Sequence, residues 1–356
     1  MRIALLTYST KPRGGVVHTL ALAEALSRQG ADVTVWSLGR GGDAAFYRPV
    51  DPAVSVRIVP FEAREDEGVG VRILRSIAVL REAFTPGAYD VVHAQDCISA
   101  NAVSSCIRTI HHLDQFTTPE LAACHERAVV EPYARICVSE AVAAEVRAGW
   151  GFEPTVIPNG VDAVRFETAA ADAPGRRRWA DQLGRYVLAV GGIEPRKGSI
   201  DLLEAYALLS RTRPELRLVF AGGETLFDYR NYRDDFDTRC EHLGVRPHIL
   251  GTVPDNDLPT LVAQAEVFAF LSTKEGFGLA AMEALAAGVP VVARSLPVLQ
   301  EVFGETVRFA STHTEMANAL TQPNDPARIS RGQALARAHR WDDVARAHLD
   351  FYERLS

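Results

Sequence analysis

Two carboxylates, Glu275 and Glu283, bracket the segment Glu275-Gly276-Phe277-Gly278-Leu279-Ala280-Ala281-Met282-Glu283. Gly276 and Gly278 flank Phe277 in a loop whose backbone must approach something closely. A helix is expected from about Leu279 to Ala287, stopped by Gly288-Val289-Pro290. Apart from Glu283 this helix is Leu, Ala and Met, and a helix that is apolar all round is a buried one. A carboxylate in it is costly unless paired or hydrogen-bonded. No cation stands within one turn, so the partner comes from elsewhere in the fold or from a ligand, and a vicinal diol such as a ribose suits a carboxylate. The free amides from Gly276 to Leu279 favour an anion. Diol, anion and a second polar group in Glu275 together describe a nucleotide-sugar. The plainer alternative is a helix-capping Glu275 with a salt-bridged Glu283.

A second cluster suits the same chemistry. The apolar run Tyr186–Val190 leads into Gly191-Gly192-Ile193-Glu194-Pro195-Arg196-Lys197-Gly198. A loop carrying Arg196 and Lys197 at the carboxyl end of a strand can neutralise a diphosphate. When a glycosidic C–O bond breaks, such fixed cations stabilise the departing nucleoside diphosphate; without them a metal would be expected. Gly14 and Gly15 put bare amides at a helix start after the first strand, where open α/β sheets bind ligands, although a plain tight turn would also use them. His111 closes the run Ile107–Ile110. There it could give a hydrogen bond to a sugar hydroxyl or help a leaving group depart, or serve the core alone.

These residues need a frame to hold them. The opening reads as strand (2–8), helix (Val16 to Gln29) and strand (Asp32 to Ser37), a βαβ unit that implies a parallel sheet. Strand-like runs recur before each of the loops named above. Residues 39–70 read as irregular apart from a short strand over Ser55 to Val59, with a solvated acidic patch from Glu62 to Glu67. Residues 167–184, rich in Ala, Asp, Pro and Arg, read as a linker between domains. The chain has 356 residues, about two domains by size, and 47% of them are hydrophobic, enough for a sizeable core. Its net charge of −7 argues against a nucleic-acid binder. Five cysteines without C-x-x-C spacing read as reduced thiols of a cytoplasmic protein. Met1-Arg2 leads directly into strand residues rather than an export signal. No apolar run approaches the roughly 18–20 residues of a membrane span. The segment Val71 to Phe84, with Arg72, Arg75 and Arg81 beside apolar positions, reads as a basic-faced surface helix in preference to a membrane-docking one. The dinucleotide fingerprint G-x-G-x-x-G with its acidic partner is missing, which discounts a NAD-dependent dehydrogenase.

The Glu275–Glu283 pattern, Lys197-Gly198 and the turn Pro158-Asn159-Gly160-Val161-Asp162 resemble the retaining GT-B glycosyltransferases of family 4, and the resemblance runs from Gly14-Gly15 to the last helix. It implies an α/β fold of two facing Rossmann-like domains, with a C-terminal helix beginning at Trp341-Asp342-Asp343 and crossing back to the first domain. Residues 1–165 with 340–356 would hold the acceptor, and 166–339 the donor. The implied roles are catalytic for His111, Glu275, Lys197 and Arg196. Gly14, Gly15, Gly192, Gly276, Phe277, Gly278, Leu279, Glu283 and Val253 would bind the donor, with Glu283 on the ribose. The implied reaction moves a sugar from a nucleoside-diphosphate sugar to a hydroxyl of a small molecule, glycan or lipid, with no cofactor and no metal. Two positions depart from the family pattern: Gly192 stands where an Arg is usual, and His112 where an Asp is usual. The segment from Ser295-Leu296-Pro297 to Phe303 lacks the glycines of the family's last turn. A nucleotide-sugar-binding protein without turnover and a sugar-nucleotide epimerase of the same fold are the alternatives.

Overall fold

Short apolar runs bounded by glycine or polar loops make parallel strands that are covered on both faces. The computed structural model describes residues 1–355 apart from 63, 65, 66, 104, 115, 117 and 224–228. The expected acidic patch from Glu62 to Glu67 therefore lies partly outside the described residues. The chain divides into two compact units, residues 1–160 with 341–356, and residues 161–340.

The first unit carries β1 (Arg2–Leu6), β2 (Asp32–Arg40), β3 (Ser55–Phe61), β4 (Val91–Ala94), β5 (Ile107–Ile110), β6 (Ala134–Cys137) and β7 (Thr155–Val156). All seven pair in parallel in the order β3-β2-β1-β4-β5-β6-β7. From β1 the chain works outward through β2 and β3, and from β4 it works outward the other way. The reversal leaves a crevice at the carboxyl ends of β1 and β4, where doubly wound sheets take ligands. The helix Trp341–Leu355 belongs to this unit and buries Trp341, Val344, Ala345, His348, Phe351 and Tyr352.

In the second unit β8 (Arg185–Val190), β9 (Leu216–Ala221), β10 (His248–Ile249), β11 (Val267–Phe270), β12 (Val291–Arg294) and β13 (Arg308–Ala310) form a parallel sheet in the order β10-β9-β8-β11-β12-β13. Its reversal falls between β8 and β11. Leu203, Leu218, Phe220, Phe236 and Val292 lie in the apolar layer on one face of that sheet.

Several expectations need correction. The expected linker at 167–184 is two helices, Ala163–Ala171 and Ala173–Leu183. Asp172 ends the first and caps the second by accepting from the Gly175 amide, and Trp179 and Leu183 are buried. Ala, Arg and Gln are good helix formers, so the composition was helical once Pro174 fell in the first turn, where its missing N–H costs nothing. The first helix begins at Gly14 rather than Val16 and ends at Arg28, so both glycines lie in its first turn. The third strand continues to Phe61, and the next helix spans Val69–Ala83. Pro297–Phe303, compared above to a glycine turn, is a short helix started by Pro297. Among the described residues no helix is long and apolar enough to cross a membrane.

Candidate active site

The residues with the clearest chemistry in the second unit sit at the β8/β11 reversal. Two loops meet there. Residues 191–198 follow β8, and residues 271–278 follow β11. Their backbones are in direct contact: the Thr273 amide donates to the Arg196 carbonyl at 2.8 Å, and a Cβ on Gly198 would lie 2.3 Å from the Leu271 carbonyl oxygen. Gly198 also has φ of 64°, so both space and conformation demand glycine. Gly222, after β9, packs its Cα against Gly191 and Gly192 so closely that a Cβ would lie 2.1 Å from the Gly191 carbonyl carbon. The stem of Lys197 lies across Gly191 in turn, with Cε 3.3 Å from the position of a Cβ there.

This contact brings the cations to a carboxylate. Lys197 Nζ is 2.7 Å and Arg196 Nη1 3.2 Å from Glu275 Oε1, and Arg196 Nη2 is 3.3 Å from Glu194 Oε1. Glu275 does not cap the helix that follows. Burial alone would raise its pKa, but the charges of Lys197 and Arg196, with bonds from Lys197 and Ser272, outweigh it and bring it down to about 2. Burial pulls the Lys197 ammonium below its ordinary value, with Glu275 opposing. The four charges balance: two cations face two carboxylates.

Glu283 has the opposite surroundings. It lies on the helix Leu279–Ala286, whose Ala281, Met282, Ala284, Leu285 and Ala286 are buried. Among the described residues its carboxylate makes no hydrogen bond and no ion pair. Arg165 lies near enough to favour its charge, yet that guanidinium is bonded to Asp255 Oδ2 at 2.8 Å. Desolvation prevails and pushes the Glu283 carboxyl up to about 7. The plainer sequence alternative is therefore inverted: Glu275 carries the salt bridges and Glu283 is the carboxylate that wants a partner.

Gly276 and Gly278 are buried, and Gly278, at φ of 102°, starts the helix with no side chain capping its amides. Leu279 begins that helix and is half-buried. The Phe277 ring is buried, 5.6 Å from the His339 ring, so Phe277 can offer a ligand only its backbone. Val253 is half-buried in the same loop as Asp255. Two supports escaped the sequence reading. Arg165 sits where a linker was about to begin. Arg294, at the end of β12, donates to the Leu271 carbonyl at 2.9 Å and pairs with Asp201, bracing the 271–278 loop. Neither has a local signal, because its partner is distant in sequence.

In the first unit His111 follows β5. A Cβ on Gly15 would lie 3.7 Å from its Cδ2 and 3.8 Å from its Nε2, so the imidazole stands at the start of the helix Gly14–Arg28. No side chain caps that helix start, and Gly14 is open to solvent. His111 Nε2 is buried without a hydrogen-bond partner, and burial, helped by His18 and Arg108, holds the ring well below the ordinary pKa. His112 Nε2 lies 3.3 Å from Asp114 Oδ1. Gly14, Gly15 and His111 thus lie together in the first unit, while Lys197, Arg196, Glu275 and Gly192 lie together where the two loops of the second unit meet, and Glu283 sits near Arg165 and Asp255 on the helix that follows. Among the described residues no three His, Cys, Asp or Glu side chains are grouped to hold a metal ion.

Comparison with known proteins finds two family models that match the chain. Residues 12–165 match the model of Glycosyltransferase Family 4, and residues 179–332 match that of Glycosyl transferases group 1. The chain belongs to the family 4, group 1 glycosyltransferases. This glycosyltransferase is 29% identical to a phosphatidyl-myo-inositol mannosyltransferase of Propionibacterium freudenreichii, over 97% of its own length and 92% of the relative's. It is 34% identical to an O-antigen chain mannosyltransferase B of Escherichia coli over 48% of its own length and 46% of the relative's. Among solved structures, HepE of Anabaena in complex with UDP-glucose superposes with a TM-score of 0.79 at 20% identity, covering 99% of this chain and 100% of that one. That likeness supports the GT-B fold of this glycosyltransferase.

Proposed function

We propose that this glycosyltransferase moves a hexose from a nucleoside-diphosphate sugar to a hydroxyl acceptor with retention at the anomeric carbon and without a metal ion. The second unit takes the donor and the first takes the acceptor. The observation that carries the reading is Glu283: a carboxylate in an apolar helix, unpaired among the described residues, suits a ribose diol. The uncapped amides at Gly278–Leu279 suit a phosphate, and Lys197 and Arg196 suit the rest of the diphosphate. As the bond from the anomeric carbon to the phosphate oxygen breaks, its electron pair leaves on the diphosphate, and Lys197 and Arg196 stabilise that charge. The acceptor oxygen bonds to the same face of the sugar, and its proton passes to the departing phosphate oxygen. Glu275 holds the two cations in place and meets the sugar. His111 is the group the first unit offers to a reacting hydroxyl. Mannosyltransferases among the relatives and a UDP-glucose complex among the fold neighbours support a nucleotide-sugar donor.

The test is a thermal-shift panel of UDP-, GDP- and ADP-sugars with and without Mg²⁺ or EDTA, followed by release of nucleoside diphosphate from whichever donor binds. One nucleotide class should raise the melting temperature regardless of EDTA. Lys197→Ala should lower turnover by about 10²–10³-fold, the usual effect of removing one group that stabilises developing charge. No shift with any nucleotide would sink the reading. The charge balance around Arg196 and Lys197, with Gly192 in place of a third cation, favours one competitor, a binding protein of the same fold. It predicts a shift with no release of nucleoside diphosphate from any donor.

A further inference from the structure

A reacting imidazole must be held within roughly 0.5 Å and 10–20° of its working position. A hydrogen bond to one ring nitrogen commonly does this and fixes the tautomer. Among the described residues His111 makes no such bond. It stands against Gly15, which offers only backbone, and against the ring of His18, met edge-on with centroids 4.8 Å apart and planes at 77°. The ring of His18 is thus a wall against which His111 rests.

His18 is fixed thoroughly. It is fully buried on the helix Gly14–Arg28, and its Nδ1 lies 2.9 Å from Asn159 Oδ1. A carboxamide oxygen only accepts, so the ring proton is on Nδ1 and Nε2 keeps a lone pair. Burial, with His348 adding to it, pulls the His18 pKa down to about 3 and keeps the ring neutral. Trp341 closes another side, edge-on at 5.3 Å, and His348 stands 6.3 Å away. Asn159 is itself buried, and the next residue, Gly160, lies so close beneath Trp341 that a Cβ would be 2.6 Å from the indole Cδ2. The turn Pro158-Asn159-Gly160 and the start of the last helix thus clamp one imidazole, which abuts the one proposed to act.

We infer that His18, locked by Asn159, is the positioning residue for His111. The inference rests on the functional reading of His111, and it gives the Asn-Gly turn a purpose beyond chain reversal.

The test is a double-mutant cycle. Asn159→Ala removes the lock and leaves both imidazoles, and turnover is followed as nucleoside diphosphate released from the donor found above. Asn159→Ala should lower kcat by about 10-fold or more, since an ångström of misplacement can cost about 10². The donor KM should stay constant, because the donor site lies in the other unit. In a His111→Ala background the same substitution should cost nothing further. An unchanged kcat for Asn159→Ala, or an equal loss in both backgrounds, would overturn the inference. If His111→Ala itself leaves kcat unchanged, the functional reading of His111 fails instead. A readout independent of turnover uses ¹⁵N-histidine NMR on the full chain: a single Nδ1–H tautomer for His18, and displaced or broadened His111 ring signals in Asn159→Ala and His18→Phe. Unmoved His111 signals in both variants would equally overturn it.

Discussion

Glu275 and Glu283 stand eight residues apart, share one loop and helix, and differ by about five pH units in their ionisation, from about 2 to about 7. The difference is made by partners: Lys197 and Arg196 reach one and no cation is bonded to the other. Glu283 has a consequence for stability. Unfolded, it releases its proton near the ordinary value of 4.5, whereas folded it holds the proton to about 7. Between those values the folded chain binds more protons, so stability falls as pH rises. Below about pH 4.5 both states are protonated and the cost vanishes. Glu283→Gln cannot ionise. It should be more stable than the parent at pH 8 by on the order of 2–3 kcal/mol, with the gap closing towards pH 4.5, and it should bind donor more weakly. Urea unfolding at pH 4.5, 6 and 8 reads this directly; a gap independent of pH would show Glu283 charged in the folded protein.

At the scale of elements, the second unit's site is made by loops in backbone contact. Gly222 is the key position, because its neighbours are the carbonyl and amide atoms of Gly191 and Gly192, which cannot swing aside as a side chain would. Gly222→Ala should destabilise by about 1–3 kcal/mol, lowering Tm by roughly 2–4 °C for each, and should weaken donor binding by displacing Lys197 from Glu275. A calorimetric scan with and without donor separates the two effects. The helix Ala173–Leu183 makes a second case, since its Trp179 is buried with Nε1 bonded to Thr260 Oγ1 at 3.2 Å. Trp179→Ala should cost about 3–5 kcal/mol, measured by denaturant unfolding. A true linker would lose nothing.

For the whole molecule, the chain leaves its first unit at Gly160 and re-enters it at Trp341. The returning helix supplies three buried aromatic residues, Trp341, Phe351 and Tyr352, and Tyr352 OH lies 2.7 Å from His93 Nδ1. Removing a buried aromatic costs about 3–5 kcal/mol, and a domain's whole stability is only about 5–15 kcal/mol. A chain ended at Arg340 should therefore lose amide-exchange protection across β1 to β7 while β8 to β13 keep theirs. Hydrogen exchange read by mass spectrometry checks this strand by strand.

The sequence by itself determined the parallel strands, the glycine loops at their carboxyl ends and the oddity of Glu283. Each is a local pattern: an apolar run, a residue without Cβ, a charge on an apolar helix. It also carried the family resemblance through Lys197-Gly198 and the Glu275–Glu283 spacing. Tertiary structure alone decided the rest. That Lys197 bonds to Glu275, that Arg165 is spent on Asp255 and leaves Glu283 bare, and that Asn159 grips His18 are all contacts between residues distant in sequence. No local propensity encodes them, because Coulomb and desolvation energies depend on distances that only the sheet order sets. The helices at 163–183 were misread for a related reason: a run rich in Ala, Arg and Asp is helical or extended according to whether a surface such as that around Thr260 receives its one large apolar face.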